Sequence, residues 1–140
     1  MSGFWAAARM VWLEAPLKHT TTILGLSAFI GYGCYNYYVR GGKLRRQHYY
    51  AIALVYKTHW SVKSGKFADS RYTVLGREYT VSADADKLAG QQLVGRRFIV
   101  EFYPPDPTID YLRLDIPVPD SIRAAPAAGW PQPPFYWPGD

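Results

Sequence analysis

The chain contains one long apolar stretch, residues 20–39, with the sequence TTTILGLSAFIGYGCYNYYV and no charged side chain. A helix needs about 20 mostly apolar residues to cross the hydrocarbon core of a bilayer. The stretch also lacks the polar stripe of an amphipathic helix. The pattern therefore predicts a transmembrane helix over 20–39, with the buried core helix of a soluble protein as the alternative. A signal peptide fits less well, because tyrosines and a basic cluster follow where small residues would mark a cleavage site.

Aromatic and basic residues flank this stretch on both sides. Tyr and Trp prefer the membrane–water interface, where the ring is in contact with lipid and the polar atom reaches water. In residues 1–19, Arg9 interrupts an apolar run that is too short to span, and we expect an interfacial segment there. Residues 40–47 form a basic juxtamembrane linker. The membrane-interface residues predicted from this pattern are Trp5, Trp12, Tyr37, Tyr38, Arg40, Lys43, Arg45 and Arg46.

The basic residues are unevenly distributed around the stretch. Arg9 and Lys18 precede it together with Glu14, whereas residues 40–47 carry four basic residues and no acidic one. Lys and Arg close to a span prefer the cytoplasmic side, and they attract anionic lipid headgroups. We therefore expect a single-pass membrane protein with a cytoplasmic C-terminal domain, and membrane lipid as a partner.

After residue 48 the pattern changes to the alternation with period two that is typical of β-strands. Pro104-Pro105 must end one strand, because proline donates no hydrogen bond to the sheet. The predicted strands are 50–60, both arms of a hairpin over 70–84, a strand that begins at Arg96 and a last strand over 108–118. This order predicts a mainly β domain over 48–118, either a small antiparallel β-sandwich or a partly open barrel of about five strands.

Residue types predict three details of this domain. Gly76 should supply the positive φ of the hairpin turn. Asp84 should cap one or two helical turns in the connection over 83–95. In the last strand, the side chains expected to point inward are Leu112, Leu114 and Ile116.

Residues 119–140 are rich in proline, alanine and aromatic residues. This composition predicts an extended or disordered tail with polyproline II stretches. The aromatic side chains of such a tail fold back onto their own domain, lie at a bilayer surface or bind a partner, and the sequence leaves these alternatives open. The candidate partner-contact residues are Trp130, Phe135, Tyr136 and Trp137.

Spaced motifs in the β-domain resemble those of a known family. AIALVYK is followed by RYTVLGREYTVS, in the pattern Y-x-V-x-G-x-x-Y, and then by LVGRRFIVEFYPPDPTIDYLRLD. Over residues 50–116 these motifs resemble one of the numbered domain-of-unknown-function families of small bacterial membrane-associated proteins. The resemblance implies an antiparallel β-domain beside one or two membrane helices, and so a bacterial inner membrane. It implies no activity, substrate or catalytic residue. The matching residues are Tyr72, Val74, Gly76, Tyr79, Gly95, Val100, Phe102, Tyr103, Pro104 and Pro107.

Composition and candidate chemistry change this picture little. The net charge of +5 is compatible with nucleic acid, but the motif of an RNA-binding strand is missing and we expect no nucleic-acid partner. Cys34 is the only cysteine, so no intrachain disulfide can form. The histidines are scattered, and Asp84-Ala85-Asp86 lacks the glycine and glutamate of a calcium loop. We therefore predict no catalytic residue, no metal site and no cofactor.

These features predict a non-enzymatic interaction or accessory protein at a membrane surface. A protein partner of unknown identity would bind an exposed sheet edge or the aromatic tail. The alternative is a small-ligand-binding or envelope-sensing module that uses the mouth of the barrel, and an enzyme ranks below both.

Overall fold

The computed structural model describes residues 19–137, which belong to two compact units, Met1–Arg40 and Gly41–Asp140. The helical elements are α1 (19–34), a π-helical stretch Tyr35–Arg40, α2 (Gly41–Arg46) and a 3-10 turn Asp86–Leu88. The strands are β1 (Tyr49–Ser61), β2 (Gly65–Val74), β3 (Arg77–Asp84), β4 (Arg97–Tyr103) and β5 (Asp106–Pro117).

The described part of the first unit is helical, and its large apolar side chains, among them Leu24 and Phe29, are exposed. Among the described residues, no helix is both long and apolar enough to cross a membrane. The transmembrane helix predicted over 20–39 is therefore not supported. The reason lies in the composition, because glycines, threonines, tyrosines and Asn36 dilute the aliphatic residues. In addition, the regular α-helix gives way to π-helical turns at Tyr35.

The second unit is built on one antiparallel sheet with the strand order β3-β2-β1-β4-β5. This confirms the predicted set of five antiparallel strands, the two hairpins and the crossover from β3 to β4. The sheet curls into a half-barrel, so that its edge strands β3 and β5 approach each other without hydrogen bonds between them. Of the two predicted forms, the partly open barrel is correct and the sandwich is wrong.

A change of partner along β1 accounts for the curl. β1 pairs with β4 from Tyr49 to Leu54, and with β2 from Leu54 to Ser61. The pairing with β2 is also irregular between Val55 and Lys57. An irregularity of this kind bends a strand and increases its twist, which brings the two edges of the sheet toward each other.

The concave face of the half-barrel holds the main core. Tyr72 and Val74 of β2 and Val81 of β3 are buried on this face, as the alternation of the hairpin predicts. Full burial of one large apolar side chain contributes about 1.5–3 kcal/mol, so each of these residues stabilises the folded domain. The β4 residues buried in the same core are Phe98, Val100 and Phe102.

The β2–β3 hairpin has a two-residue turn, Leu75-Gly76, with Val74 paired to Arg77. Both turn residues have positive φ, 50° at Leu75 and 78° at Gly76. Two positive values are typical of a type I′ turn, whose twist matches that of the strands. The prediction for Gly76 is confirmed, whereas the sequence gives no sign of a left-handed leucine, because this conformation is rare for residues with a bulky side chain.

The connection from β3 to β4 contains the predicted helical turn, Asp86–Leu88. The carboxylate of Asp84 accepts a hydrogen bond from the N–H of Asp86 at 2.8 Å. Ala85 occupies the N-cap position itself, so Asp84 supports the turn from one residue earlier.

The tail is folded onto the sheet as far as residue 137, so the prediction of a disordered tail is wrong there, and the predicted alternative in which its aromatic side chains fold back onto the domain is observed. Trp130 and Tyr50 exchange two main-chain hydrogen bonds of 2.8 and 2.9 Å, and the N–H of Leu75 donates to the C=O of Ala127. A second cluster of buried residues forms on the convex face. The tail is ordered because apolar side chains on this face of β1 and β4 need cover. The cluster consists of Tyr50, Ile99, Ile116, Val118 and Trp137.

Ile116 packs in this second cluster and not in the main core with Leu112, so the prediction of its inward direction is wrong. The pairing of β4 with β5 shifts between Phe98 and Ile99, which pair with Pro117 and Arg113. Extra residues in one strand change the face to which the following side chains point.

Candidate functional site

The curled sheet leaves a groove between its two edge strands, which we call the open seam. It is lined by residues 80–88, from β3 and the turn that follows it, and by residues 110–115 of β5. Its volume is about 1130 Å³. This exceeds the usual size of a small-molecule pocket. The open seam therefore has room for an elongated occupant that lies along the strands.

Main-chain groups of β3 point toward the open seam. In a two-residue hairpin the pair next to the turn is hydrogen-bonded, and every second pair after it is bonded as well. The N–H of Ala85 donates to the C=O of Lys66, which continues the same alternation. The alternate residues of β3 therefore direct their N–H and C=O groups away from β2. On that side the described chain has no further strand. These residues are Glu78, Thr80, Ser82 and Asp84.

A buried tyrosine closes one end of the open seam. The hydroxyl of Tyr72 lies 2.7 Å from Asp110 Oδ2 and 2.5 Å from the C=O of Pro107, so β2 is joined directly to β5. Burial, and then the hydrogen bond to Asp110, raise the pKa of Tyr72 well above its ordinary value. The phenol therefore stays protonated and keeps its role as a donor at physiological pH.

The lining of the open seam is acidic, although the whole chain carries a net charge of +5. Arg113 is already engaged, since its guanidinium lies 2.9 Å from both Glu101 and Asp115. The hydrogen bond from Arg113 lowers the pKa of Asp115, which stays ionised. The groove therefore presents negative charge and acceptor oxygens to an occupant. Its charged lining residues are Asp84, Asp86, Asp110 and Asp115, against Lys87 and Arg113.

The predicted aromatic interface residues fall in two parts of the chain. Trp5 and Trp12 lie outside the described residues. Tyr37 and Tyr38 are exposed on the π-helical stretch, with their rings edge to face at 5.1 Å. Exposed phenols in this place are compatible with contact at a membrane–water interface.

The predicted basic interface residues lie on two elements that are consecutive in the chain. Lys43, Arg45 and Arg46 are exposed on α2, and Arg40, the last residue of the π-helical stretch, is half-buried. The three exposed cations are thus available to lipid headgroups or to another anionic surface.

The four candidate partner-contact residues of the tail have different environments. Trp137 is 8% exposed, with its ring 5.7 Å from that of Tyr50. Phe135 contacts Trp137 at 5.1 Å, and Trp130 packs against the same cluster. Tyr136 is 91% exposed. Three of the four therefore stabilise the domain itself, and Tyr136 alone of the four is presented to solvent.

A polar cluster on β1, β2 and β3 includes Ser82, which also borders the open seam. Asp69 accepts a hydrogen bond from the Ser82 hydroxyl at 2.7 Å and lies 3.0 Å from His59 Nδ1. Ser82 thus donates to the carboxylate of Asp69 and not to the imidazole of His59. A nucleophilic serine is activated when its hydroxyl donates to the imidazole, so this cluster lacks that arrangement. Within residues 19–137, no three His, Cys, Asp or Glu side chains converge as metal ligands would.

The open seam could not be identified from the sequence, which favoured solvated positions for Asp110 and Asp115 and a capping role for Asp84. The two walls of the groove lie far apart in the chain and meet only because the sheet curls. One signal was present, since the spacing of Arg113 and Asp115 places a cation and an anion on the same face of a strand.

No protein family model, no curated protein and no solved structure matches this chain. The resemblance of residues 50–116 to a bacterial family of unknown function therefore stays a prediction. The function must be inferred from the geometry and charge of the described residues.

Proposed function

We propose that this chain is a non-enzymatic interaction protein whose half-barrel binds an extended segment of a partner protein along the open seam. The observation that carries the proposal is the row of outward main-chain groups on β3, beside a groove with room for an elongated occupant. An extended peptide satisfies such groups when it adds a strand to the sheet. The main-chain bonds supply affinity, and the pockets for alternate side chains supply specificity.

The lack of a proline or a bulge in β3 supports this proposal. Proteins usually blunt a free sheet edge with proline, a bulge or a covering segment, because an open edge pairs with other chains. β5 has such a feature, since Pro107 lies at its beginning. β3 contains no proline, and its eight residues pair with β2 without a bulge. An edge that is kept regular and open is expected where a partner strand binds.

We also propose that the protein works at a membrane surface. The exposed apolar side chains of α1, including Leu24 and Phe29, need cover by lipid or protein. The basic residues that follow in sequence attract anionic headgroups, each by about 1 kcal/mol close to the surface. The bacterial inner membrane and the cytoplasmic C-terminal domain stay predictions of this proposal.

Vesicle co-sedimentation of the full chain tests the membrane part. We expect binding to vesicles that contain phosphatidylglycerol and little binding to phosphatidylcholine alone. The triple variant Lys43→Gln, Arg45→Gln, Arg46→Gln should bind at least about tenfold more weakly. The matched control removes three other exposed cations, at Lys57, Lys63 and Arg71. Equal loss in both triple variants, or no binding to either vesicle, would contradict the proposal.

The ionisable groups of the open seam favour a second candidate, a small-ligand-binding module. A groove with four aspartates suits a compact cationic ligand. This candidate is weaker, because Asp110 and Asp115 already accept hydrogen bonds from Tyr72 and Arg113. The groove is also bounded by strand edges, which suit a polypeptide better than a compact molecule.

A photo-reactive amino acid at Thr80 of the full-length protein distinguishes the two candidates. Thr80 is exposed on β3, and Val62, at the tip of the β1–β2 hairpin, is an exposed control position. We expect one protein adduct from position 80 in the native cell membrane and none from position 62. The same adducts from both positions, or none from position 80, would exclude a polypeptide in the open seam and favour the small ligand.

A further inference from the structure

The two edges that border the open seam differ in regularity. β3 pairs with β2 residue for residue from Arg77 to Asp84. The pairing of β5 with β4 is interrupted at Phe98/Ile99 and again at Phe102/Tyr103. An added strand needs a template with even hydrogen-bond spacing. β3 is therefore the edge with which an occupant of the groove pairs.

One face of a strand added to β3 would lie over apolar side chains. Tyr79, Val81 and Ala83 share the face of their partners on β2, and this face points to the main core. Leu112 and Leu114 line the opposite wall of the groove. Successive side chains of a strand point to opposite faces. Every second residue of the occupant should therefore be apolar.

The other face of the added strand would lie beside Thr80, Ser82 and Asp84, which are exposed and include no cation. Directly opposed side chains lie about 4.5–5.5 Å apart, so opposite charges stabilise the pair and like charges destabilise it. Arg71 of β2 lies directly opposite Thr80, whereas the residue of β2 opposite Asp84 is the uncharged Phe67. The alternate residues of the occupant should therefore be lysine or arginine.

We infer that β3 takes an extended partner segment in which apolar residues alternate with lysine or arginine. The inference rests on the proposed function and adds the chemical class of the partner to it. The net charge of +5 repels a basic segment from the molecule as a whole, so the electrostatic support for the inference comes from the acidic lining of the groove alone. The acidic lining attracts the same segment into the open seam, so the charges direct it to one place.

Three synthetic peptides, each as long as β3, test the inference with the full-length protein. One alternates Val and Lys, the second alternates Val and Glu, and the third is the Val-Lys peptide with the main-chain nitrogen of every lysine methylated, since these nitrogens would face β3. We expect the Val-Lys peptide to bind about tenfold or more tightly than the Val-Glu peptide. It should also slow hydrogen exchange at Thr80 and Ser82. The methylated peptide should not bind, because it cannot complete the main-chain ladder.

A charge reversal on the protein provides the second arm. Asp84→Lys, at an exposed residue that lines the groove, should weaken binding of the Val-Lys peptide several-fold, by roughly 1 kcal/mol. It should strengthen binding of the Val-Glu peptide. Asp120→Lys is the matched control, because it makes the same charge change at a fully exposed residue outside the groove. This control should leave both affinities nearly unchanged.

The outcomes separate the inference from the proposed function. Equal binding of the Val-Lys and Val-Glu peptides, with no binding of the methylated one, would overturn the inferred charge and leave strand addition in place. Equal effects of Asp84→Lys and Asp120→Lys would also overturn it, because net charge alone would then explain the preference. If none of the peptides slows exchange on β3, both the inference and the proposed function are wrong.

Discussion

Tyr72 joins two strands that the sheet itself does not pair. Its ring packs against Tyr79 at 5.7 Å and Phe102 at 6.1 Å, and its hydroxyl reaches acceptors at Pro107 and Asp110 on β5. The Tyr72 side chain thus packs in the core and also connects β2 to β5 at the end of the open seam. This geometry limits how far β3 and β5 can separate at that end.

We expect Tyr72→Phe to lower the free energy of unfolding by about 1–3 kcal/mol at neutral pH, because it removes the donor that serves Asp110 and Pro107. The pKa of Tyr72 is raised in the folded state. Its contribution is therefore fully present below pH about 10, the pKa of an unfolded tyrosine, and is lost as the pH rises further. Above that pH, stability should fall less steeply in Tyr72→Phe than in the wild type.

Urea unfolding at a series of alkaline pH values measures this difference. Tyr111→Phe is the control, because Tyr111 is 57% exposed on β5 and the structure gives it no comparable burial. Its stability should follow the wild-type curve. Parallel curves for Tyr72→Phe and the wild type would show that the raised pKa of Tyr72 does not contribute to stability.

Trp137 and Tyr136 are neighbours in sequence with opposite environments, 8% and 91% exposed. We expect Trp137→Ala to lower the free energy of unfolding by about 3 kcal/mol, because it leaves a cavity between Tyr50 and Phe135. Tyr136→Ala should change it by less than about 0.5 kcal/mol. Chemical denaturation of both variants checks this. Similar effects would show that the tail does not cover the convex face in solution.

At the scale of elements, the turn of the β2–β3 hairpin contains a strained backbone conformation that a substitution can relieve. Leu75 has a φ of 50°, a conformation that costs a residue with a bulky side chain about 1 kcal/mol or more. Asn is favoured at this position of a type I′ turn, and Leu75 is 73% exposed, so little burial is lost. We expect Leu75→Asn to raise the free energy of unfolding by about 0.5–1 kcal/mol.

Thermal or urea unfolding of Leu75→Asn tests the turn. Val62→Asn is a suitable control, because Val62 is an exposed residue of the other hairpin turn and its φ is not positive. It should leave stability unchanged. A loss of stability in Leu75→Asn would mean that the leucine side chain contributes more by packing than its conformation costs.

The elements were predicted with unequal success, for physical reasons. Alternation of β-branched and aromatic residues located the strands, because each strand has one buried face and the period follows from local geometry. β2 begins at Gly65, five residues before the start of the predicted hairpin. The prediction missed this part of the strand because SVKSGKFAD shows little alternation. The order of the tail was not predicted, because the tail packs on side chains of β1 and β4 that are distant in sequence.

At the scale of the whole molecule, strand pairing predicts where the domain opens. β4 pairs with β1 on one side and with β5 on the other, whereas β3 pairs only with β2. We expect amides of Val100 and Phe102 to exchange most slowly in the sheet, and those of Thr80 and Ser82 to exchange fastest. Residue-resolved hydrogen exchange of the isolated protein measures this order. Equal protection in β3 and β4 would mean that the open seam is already occupied.

The sequence by itself determined the strand content, the positive φ at Gly76 and the antiparallel order of hairpin, crossover and hairpin. These features depend on residues close together in the chain, where side-chain period and backbone conformation act directly. It also determined where the basic and aromatic residues lie along the chain.

Only the tertiary structure decided which face Ile116 covers, that Trp137 is buried and that β3 and β5 face each other across a groove. Trp137 is buried by its contacts with Tyr50 and Phe135, and the groove depends on the curl of the whole sheet. The face that Ile116 covers depends on the shift in the β4–β5 pairing. A shift of this kind moves every later side chain to the other face, and no local pattern records it. The acidic open seam follows from the same curl, because it gathers aspartates from two distant parts of the chain.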